Sequence, residues 1–197
     1  MATSLQPPAN GAKARLKIQY QHLREADVFL DLSERDLDEL PPAMKAKLAM
    51  NKGHSPRLRV TLDSKTNQVV AKVIKVRLAD YHVFNPGQAF DWRLSVSLEM
   101  NWNGNLEQFV ARTSQVDKLS KPERRKDRMS YKHCQCQIDL TQVRVGKGPP
   151  LHELEVELSA AEVKRQGKLA MAQRDNGYED LVKSFVDNVR ILTRLIK

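Results

Sequence analysis

"LHELEVELS", Leu151 to Ser159, sets Glu153, Glu155 and Glu157 at every second position. In an extended chain those three point one way, while His152, Leu154, Val156 and Leu158 point the other. The surrounding chain is basic, with 33 Lys+Arg against 24 Asp+Glu and a formal net charge of +9. Like charges along one strand face repel unless water, bases or a cation screens them. The stretch reads as a strand whose acidic face has something to screen it.

The same period of two recurs upstream. "RLKIQY" sets Arg15, Lys17 and Gln19 against Leu16, Ile18 and Tyr20, and "RLRVTLD" sets Arg57, Arg59 and Thr61 against Leu58, Val60 and Leu62. "DWRLSVSLE" sets Asp91, Arg93, Ser95, Ser97 and Glu99 against Trp92, Leu94, Val96 and Leu98. These are strands with one apolar and one polar face. "VVAKVIKVRLADYHVF", Val69 to Phe84, reads as one long strand or a bent pair, followed by a turn at Asn85-Pro86-Gly87. "SERDLDELPPAMKAKLAM", Ser33 to Met50, reads as one or two short helices. "NWNGN", Asn101 to Asn105, reads as a hairpin turn and Gly146 to Pro150 as a loop.

After Ser159 the period becomes helical. Ser159 with Glu162 forms a capping-box pattern opening a helix expected to end near Gly177. Tyr178, Leu181, Val182, Phe185, Val189, Leu192 and Leu195 then form one apolar stripe of a helix of about 18 residues. Many antiparallel strands followed by helices predict a sheet or barrel supported from outside by helices.

The 197 residues suit a flexible tail over 1–12 and a single domain over 13–197, strands to about 158 and helices beyond. No apolar run is long enough for a membrane span, and the first residues carry no secretory signal pattern. Cys134 and Cys136, two apart and expected on one strand face, suit free thiols of the cytosol or nucleus. The five histidines show no metal-ligand spacing, and Walker loops and nucleophile elbows are lacking. His152 should sit on the apolar side of its strand.

Chemistry can reside on the polar strand faces. Arg124, Lys126 and Arg128 share a face of "ERRKDRMSY" as the three glutamates share theirs. Neighbours on such a face stand roughly 6.7 Å apart, so a row of three bases covers about the length of a triphosphate. Aligned carboxylates offer hard oxygen ligands for Mg²⁺ or Mn²⁺. Each row alone also fits a solvent-facing sheet; together they describe a site for a metal-bound phosphate chain.

"RLRVTLD", "FDWRLSVSLE", "RRKDRMSYKH", "QIDLTQV" and "HELEVELS", in this order and followed by "YEDLVKSFVDNVR", resemble the fungal RNA 5′-triphosphatases, the β subunits of mRNA capping enzyme. The resemblance covers about residues 13–195. It implies an α+β, mostly β fold, an eight-stranded antiparallel triphosphate-tunnel barrel whose polar faces line the tunnel, packed on carboxyl-terminal helices. It implies hydrolysis of the γ-phosphate of nascent RNA with Mg²⁺ or Mn²⁺, beside guanylyltransferase, as a nuclear homodimer without membrane attachment. By the same resemblance Glu157 is a direct metal ligand, with Glu153 and Glu155 supporting the metal, its waters or neighbouring bases. Glu99 orients the attacking water. Arg59, Arg93, Lys126 and Arg128 bind phosphate with Arg124 beside them, and Asp139 and Thr141 orient these groups from the floor. Lys75, Arg77 and Asp27 complete the set.

One departure stands out. The family's first tunnel strand, E-x-E-x-K, does not precede Lys13, so the expected barrel lacks that strand and the metal site lacks two carboxylates. Gln137 stands where some relatives carry a base. Two other functions remain open: a tunnel-like module holding RNA 5′ ends or polyphosphate without cleaving them, and a scaffold for the guanylyltransferase.

Overall fold

The computed structural model describes residues 17–50, 55–88 and 90–195, so the expected tail, together with Arg15 and Leu16, lies outside the described residues. Strand β1 (Gln19–Asp31) is followed by helices α1 (Glu34–Asp38) and α2 (Pro42–Met50). Strands β2 (Arg57–Asp63), β3 (Val69–Val83) and β4 (Trp92–Asn101) come next, then α3 (Leu106–Arg112) and a 3-10 turn at Val116–Ser120. Strands β5 (Arg124–His133), β6 (Cys136–Val145) and β7 (Leu151–Leu158) precede α4 (Ala160–Met171) and α5 (Tyr178–Leu195). The strands form one seven-stranded sheet in the order β4-β3-β2-β1-β5-β6-β7, every pair antiparallel.

Turn chemistry sets the registers. Asp63 Oδ1 accepts the backbone N–H groups of Lys65 and Thr66, and Asn67 takes φ 56°, which turns β2 tightly into β3. Gln88 N–H donates to Asn85 O at 3.0 Å, closing the expected turn there. Gly146, at φ 55°, opens the loop from β6 to β7.

The apolar faces of β1, β2 and β3 make the core. Val28, Leu30, Leu58, Val60, Ile74 and Val76 pack with Leu40, Met44, Phe109 and Val110 from the helical segments, all buried. Burying each large side chain contributes about 1.5–3 kcal/mol. The helices α1, α2 and α3 therefore support the sheet from its outer side, and the other face is left to polar residues.

Several expectations need correction. "NWNGN" is not a hairpin: Asn105 Oδ1 accepts the Gln108 N–H at 3.0 Å and caps α3, a helix not read from the sequence. The helix begun at Ser159 ends at Met171, well before Gly177. Gln173, at φ 53°, terminates it, with Arg174 N–H bonding back to Leu169 O. Cys134 lies in the β5–β6 turn at φ 51° rather than on a strand face with Cys136. Strand β1 runs eleven residues beyond Tyr20, to Asp31. The long β3 is a single strand, bent by a register shift between Arg77 and Ala79.

Candidate active site

The registers bring every candidate site residue onto one face of the sheet. Glu25 pairs with Lys126, Asp27 with Thr61 and with Arg124, and Lys75 with Glu99. Thr141 sits between Arg128 and Glu153, and Asp139 between Ser130 and Glu155. Because each strand alternates, fixing one pair fixes the rest of its row.

The sheet curls around this face. If it were flat, its edge strands β4 and β7 would stand about 29 Å apart. Yet Glu157 on β7 is influenced by the charges of both Lys75 on β3 and Glu99 on β4. Loss of water around Glu157 raises its carboxyl above the ordinary range, although solvent still reaches the side chain from the sheet edge. Repulsion from Glu155, Asp139 and Glu99 pushes the same way, and Lys75 opposes it.

Most of the bases and acids are already matched. Lys126 Nζ lies 3.0 Å from both Glu25 Oε2 and Asp27 Oδ1. Arg128 Nη1 donates to Asp139 Oδ2 at 2.9 Å, and its Nη2 is 3.7 Å from Glu155. Arg124 Nη2 reaches both oxygens of Glu153 at 3.1 Å, and Lys75 lies 2.9 Å from Glu99. Glu153 thus serves a neighbouring base. Among the described residues Arg59 and Glu157 have no oppositely charged partner within 4.0 Å. Also among the described residues, no three acidic, histidine or cysteine side chains converge as a ready metal cage.

Among the described residues, five buried side-chain atoms have no hydrogen-bond partner: Asp27 Oδ2, Arg59 Nε, Ser97 Oγ, Arg128 Nε and Thr141 Oγ1. All five residues stand on the concave charged face. Buried polar groups are nearly always satisfied, so a cluster of unsatisfied ones points to a polar occupant. An occupant that accepts from guanidinium and hydroxyl groups and tolerates a nearby carboxylate satisfies these atoms, as water or a hydrated phosphate chain with a cation does.

Sequence reading missed Glu25 and Asp80 on this face, and placed Ser95 and Ser97 on it without assigning them a part in the site. Glu25 and Asp27 alternate in "READVFLD" and could have been found by extending the strand past Tyr20. Asp80 had no signal: alternation from Lys75 and Arg77 predicts Ala79 inward, and the register shift reverses it.

A family model described as mRNA capping enzyme, beta chain, matches residues 2–197. The mRNA-capping enzyme subunit beta of Schizosaccharomyces pombe (strain 972 / ATCC 24843) is 31% identical over 190 residues, which cover 91% of this chain and 52% of that one. The corresponding subunit of Candida albicans (strain SC5314 / ATCC MYA-2876) is 32% identical over 189 residues, covering 86% of this chain and 35% of that one. The solved S. pombe Pct1 RNA triphosphatase superposes with a TM-score of 0.66 at 30% identity, covering 91% of this chain and 59% of that one. The same enzyme in complex with the Spt5 CTD gives a TM-score of 0.68 at 29% identity, covering 91% and 60%. The chain spans about half the length, or less, of these curated relatives. Matched over nearly its whole length by the family model and by relatives above 30% identity, the chain belongs to the mRNA capping enzyme beta chain family.

Proposed function

We propose that this chain carries the polyphosphate-binding face of an RNA 5′-triphosphatase that removes the γ-phosphate of nascent RNA, the first step of mRNA capping. The observation that carries the reading is the set of unsatisfied buried atoms of Asp27, Arg59, Ser97, Arg128 and Thr141, all on one curled charged face. A triphosphate supplies acceptors for the guanidinium and hydroxyl groups among them. RNA phosphatase activity of the related Pct1 argues for hydrolysis rather than transfer.

In this reading Arg59, Lys126 and Arg128 neutralise charge that builds on the phosphate oxygens, an electrostatic role requiring fixed positions. Asp27 and Glu25 fix Lys126, Asp139 and Glu155 fix Arg128, and Glu153 fixes Arg124. Thr141 and Ser97 add hydroxyl donors. In the same reading Glu99, tethered by Lys75, orients the attacking water. A divalent cation, Mg²⁺ or Mn²⁺, fits the hard oxygens of Glu157 and Glu155 but not Glu153, which Arg124 occupies. Bound there, it would polarise a phosphoryl oxygen. Glu157 is the free carboxylate of the row, and crowding by like charges favours a cation beside it.

The edge strands β4 and β7 run in the same direction, because six antiparallel steps separate them. A single strand antiparallel to both would close such a sheet, a place that suits the family's E-x-E-x-K strand. Guanylyltransferase, a second copy of the chain and a nuclear site of action belong to the same proposal.

The test is phosphate release from triphosphate-ended RNA with Mn²⁺ or Mg²⁺. Release abolished by EDTA and by Glu157→Ala supports the reading; release indifferent to both overturns it. A second reading, a module that holds RNA 5′ ends without cleaving them, is favoured by the absence of a ready three-carboxylate cage among the described residues. Salt-sensitive binding without any turnover would decide for it.

A further inference from the structure

The concave face continues along β3 and β4 beyond the Lys75–Glu99 pair. The register shift between Arg77 and Ala79 turns Asp80 inward, opposite Ser95. Ser95 Oγ donates to Asp80 Oδ1 at 2.6 Å, and Arg77 Nη1 donates to Asp80 Oδ2 at 2.9 Å. Arg93 Nε approaches Oδ1 at 3.9 Å from the other strand. One carboxylate thereby holds Arg77 and stands beside Arg93 of the neighbouring strand, while His82 pairs with Arg93 one step further on.

Two features distinguish this cluster from the pairs around Lys126 and Arg128. Its arginine side chains are open, 44% and 49% exposed, whereas Lys126 is 7% exposed. It also lies far along the strand: Glu99 and Arg93 are six residues apart on β4, about 20 Å at the usual rise. That backbone distance sets Arg93 at the far end of the row from Glu99, with Arg77, paired with Ser97, between them. Asp80 uses one of the five N–H donors of Arg77 and none of those of Arg93 within hydrogen-bond distance, leaving most donors free. A carboxylate that clamps a guanidinium while leaving its fork open preorganises it for another anion.

Resting on the triphosphatase reading, we propose that the Arg77–Asp80–Arg93 cluster binds the first phosphodiesters of the RNA chain, with Asp80 as the positioning residue. The strip then distinguishes an RNA end from a free nucleoside triphosphate, which has no phosphodiester to place there. Asp80 touches no phosphate itself. It bonds Arg77 and sets a negative charge beside both of two mutually repelling guanidinium groups.

The experiment compares binding of a short triphosphate-ended RNA with binding of inorganic tripolyphosphate, both in EDTA so that neither is hydrolysed. Asp80→Asn should weaken RNA binding about tenfold and leave tripolyphosphate within about twofold, with Asp80→Glu restoring part of the loss. Arg93→Ala should lower the salt dependence of RNA binding by about one ion, and by more than it lowers that of tripolyphosphate. An unchanged thermal melt in each variant excludes general misfolding as the cause. Equal weakening of both ligands, weakening of neither, or tighter RNA binding by Asp80→Asn overturns the assignment while leaving the triphosphate site standing. Failure of the unsubstituted chain to bind tripolyphosphate both in EDTA and with added Mn²⁺ overturns the triphosphate reading, and this one with it.

Discussion

The ammonium of Lys126 and the carboxylate of Asp27 meet at 3.0 Å on adjacent strands, both almost wholly buried. Asp27 also accepts the hydroxyl of Thr61 at 2.8 Å, so it links β1, β2 and β5. Breaking a buried pair strands the remaining charge, which costs more than the pair itself contributes. Asp27→Ala should destabilise the fold by roughly 3 kcal/mol, near the low end because Glu25 still faces Lys126. Urea unfolding monitored by tryptophan fluorescence measures it, and a loss below half that size would mean that water enters and solvates Lys126.

Glu157 offers the opposite behaviour. Its carboxylate faces like charges and has no cationic partner in contact among the described residues, so Glu157→Gln should leave stability unchanged or slightly higher. The same substitution should reduce metal-dependent phosphate release by about 10²–10³. A variant that loses both folding and release would assign Glu157 a structural part instead.

Asp36 gives a pH signature away from the candidate site. Burial alone would raise its carboxyl, but the Arg112 guanidinium, at 2.7 Å, and the Ser33 hydroxyl and backbone N–H outweigh burial and hold it below the usual 3.8. A carboxyl whose folded value is depressed contributes stability that is fully present above its unfolded value and lost as pH falls through the folded one. Unfolding midpoints of the natural chain should therefore drop below about pH 4 more steeply than those of Asp36→Asn. Parallel curves would show that the link between α1 and α3 adds nothing to stability.

Cys134 sits at φ 51° in the β5–β6 turn, a conformation that costs a side chain with a Cβ. Cys134→Gly should raise the unfolding free energy by up to about 1 kcal/mol, the relief of strain less the extra freedom of glycine when unfolded. Chemical denaturation under reducing conditions reads this directly. A decrease would mean that the contact between Cys134 Sγ and His133, at 3.8 Å, matters more than the backbone.

The strands were legible because burial on one side and charge on the other impose a period of two on each of them. "DWRLSVSLE" and "LHELEVELS" became β4 and β7 with the expected residues on each face. Helix α5 was equally plain, since its apolar stripe spans all 18 residues. Helix α3 was hidden behind "NWNGN", where asparagine and glycine suit a turn and a helix cap equally well. The premature end of α4 was hidden too, because Gln173 adopts a left-handed conformation that no residue preference announces.

The sequence by itself determined which residues are charged, which strand face each occupies, and thus that a row of acids and rows of bases exist to be brought together. Alternation is local, and local geometry suffices for it. Which acid meets which base was decided only by the tertiary structure: Glu153 is taken by Arg124, Asp27 and Glu25 share Lys126, and Glu157 has no basic partner among the described residues. Those pairings depend on strand order, on register and on the curl that brings β7 within the influence of Lys75 and Glu99. Asp80 is the sharpest case, since one irregular step in β3 reverses the face that its position in the sequence assigns it.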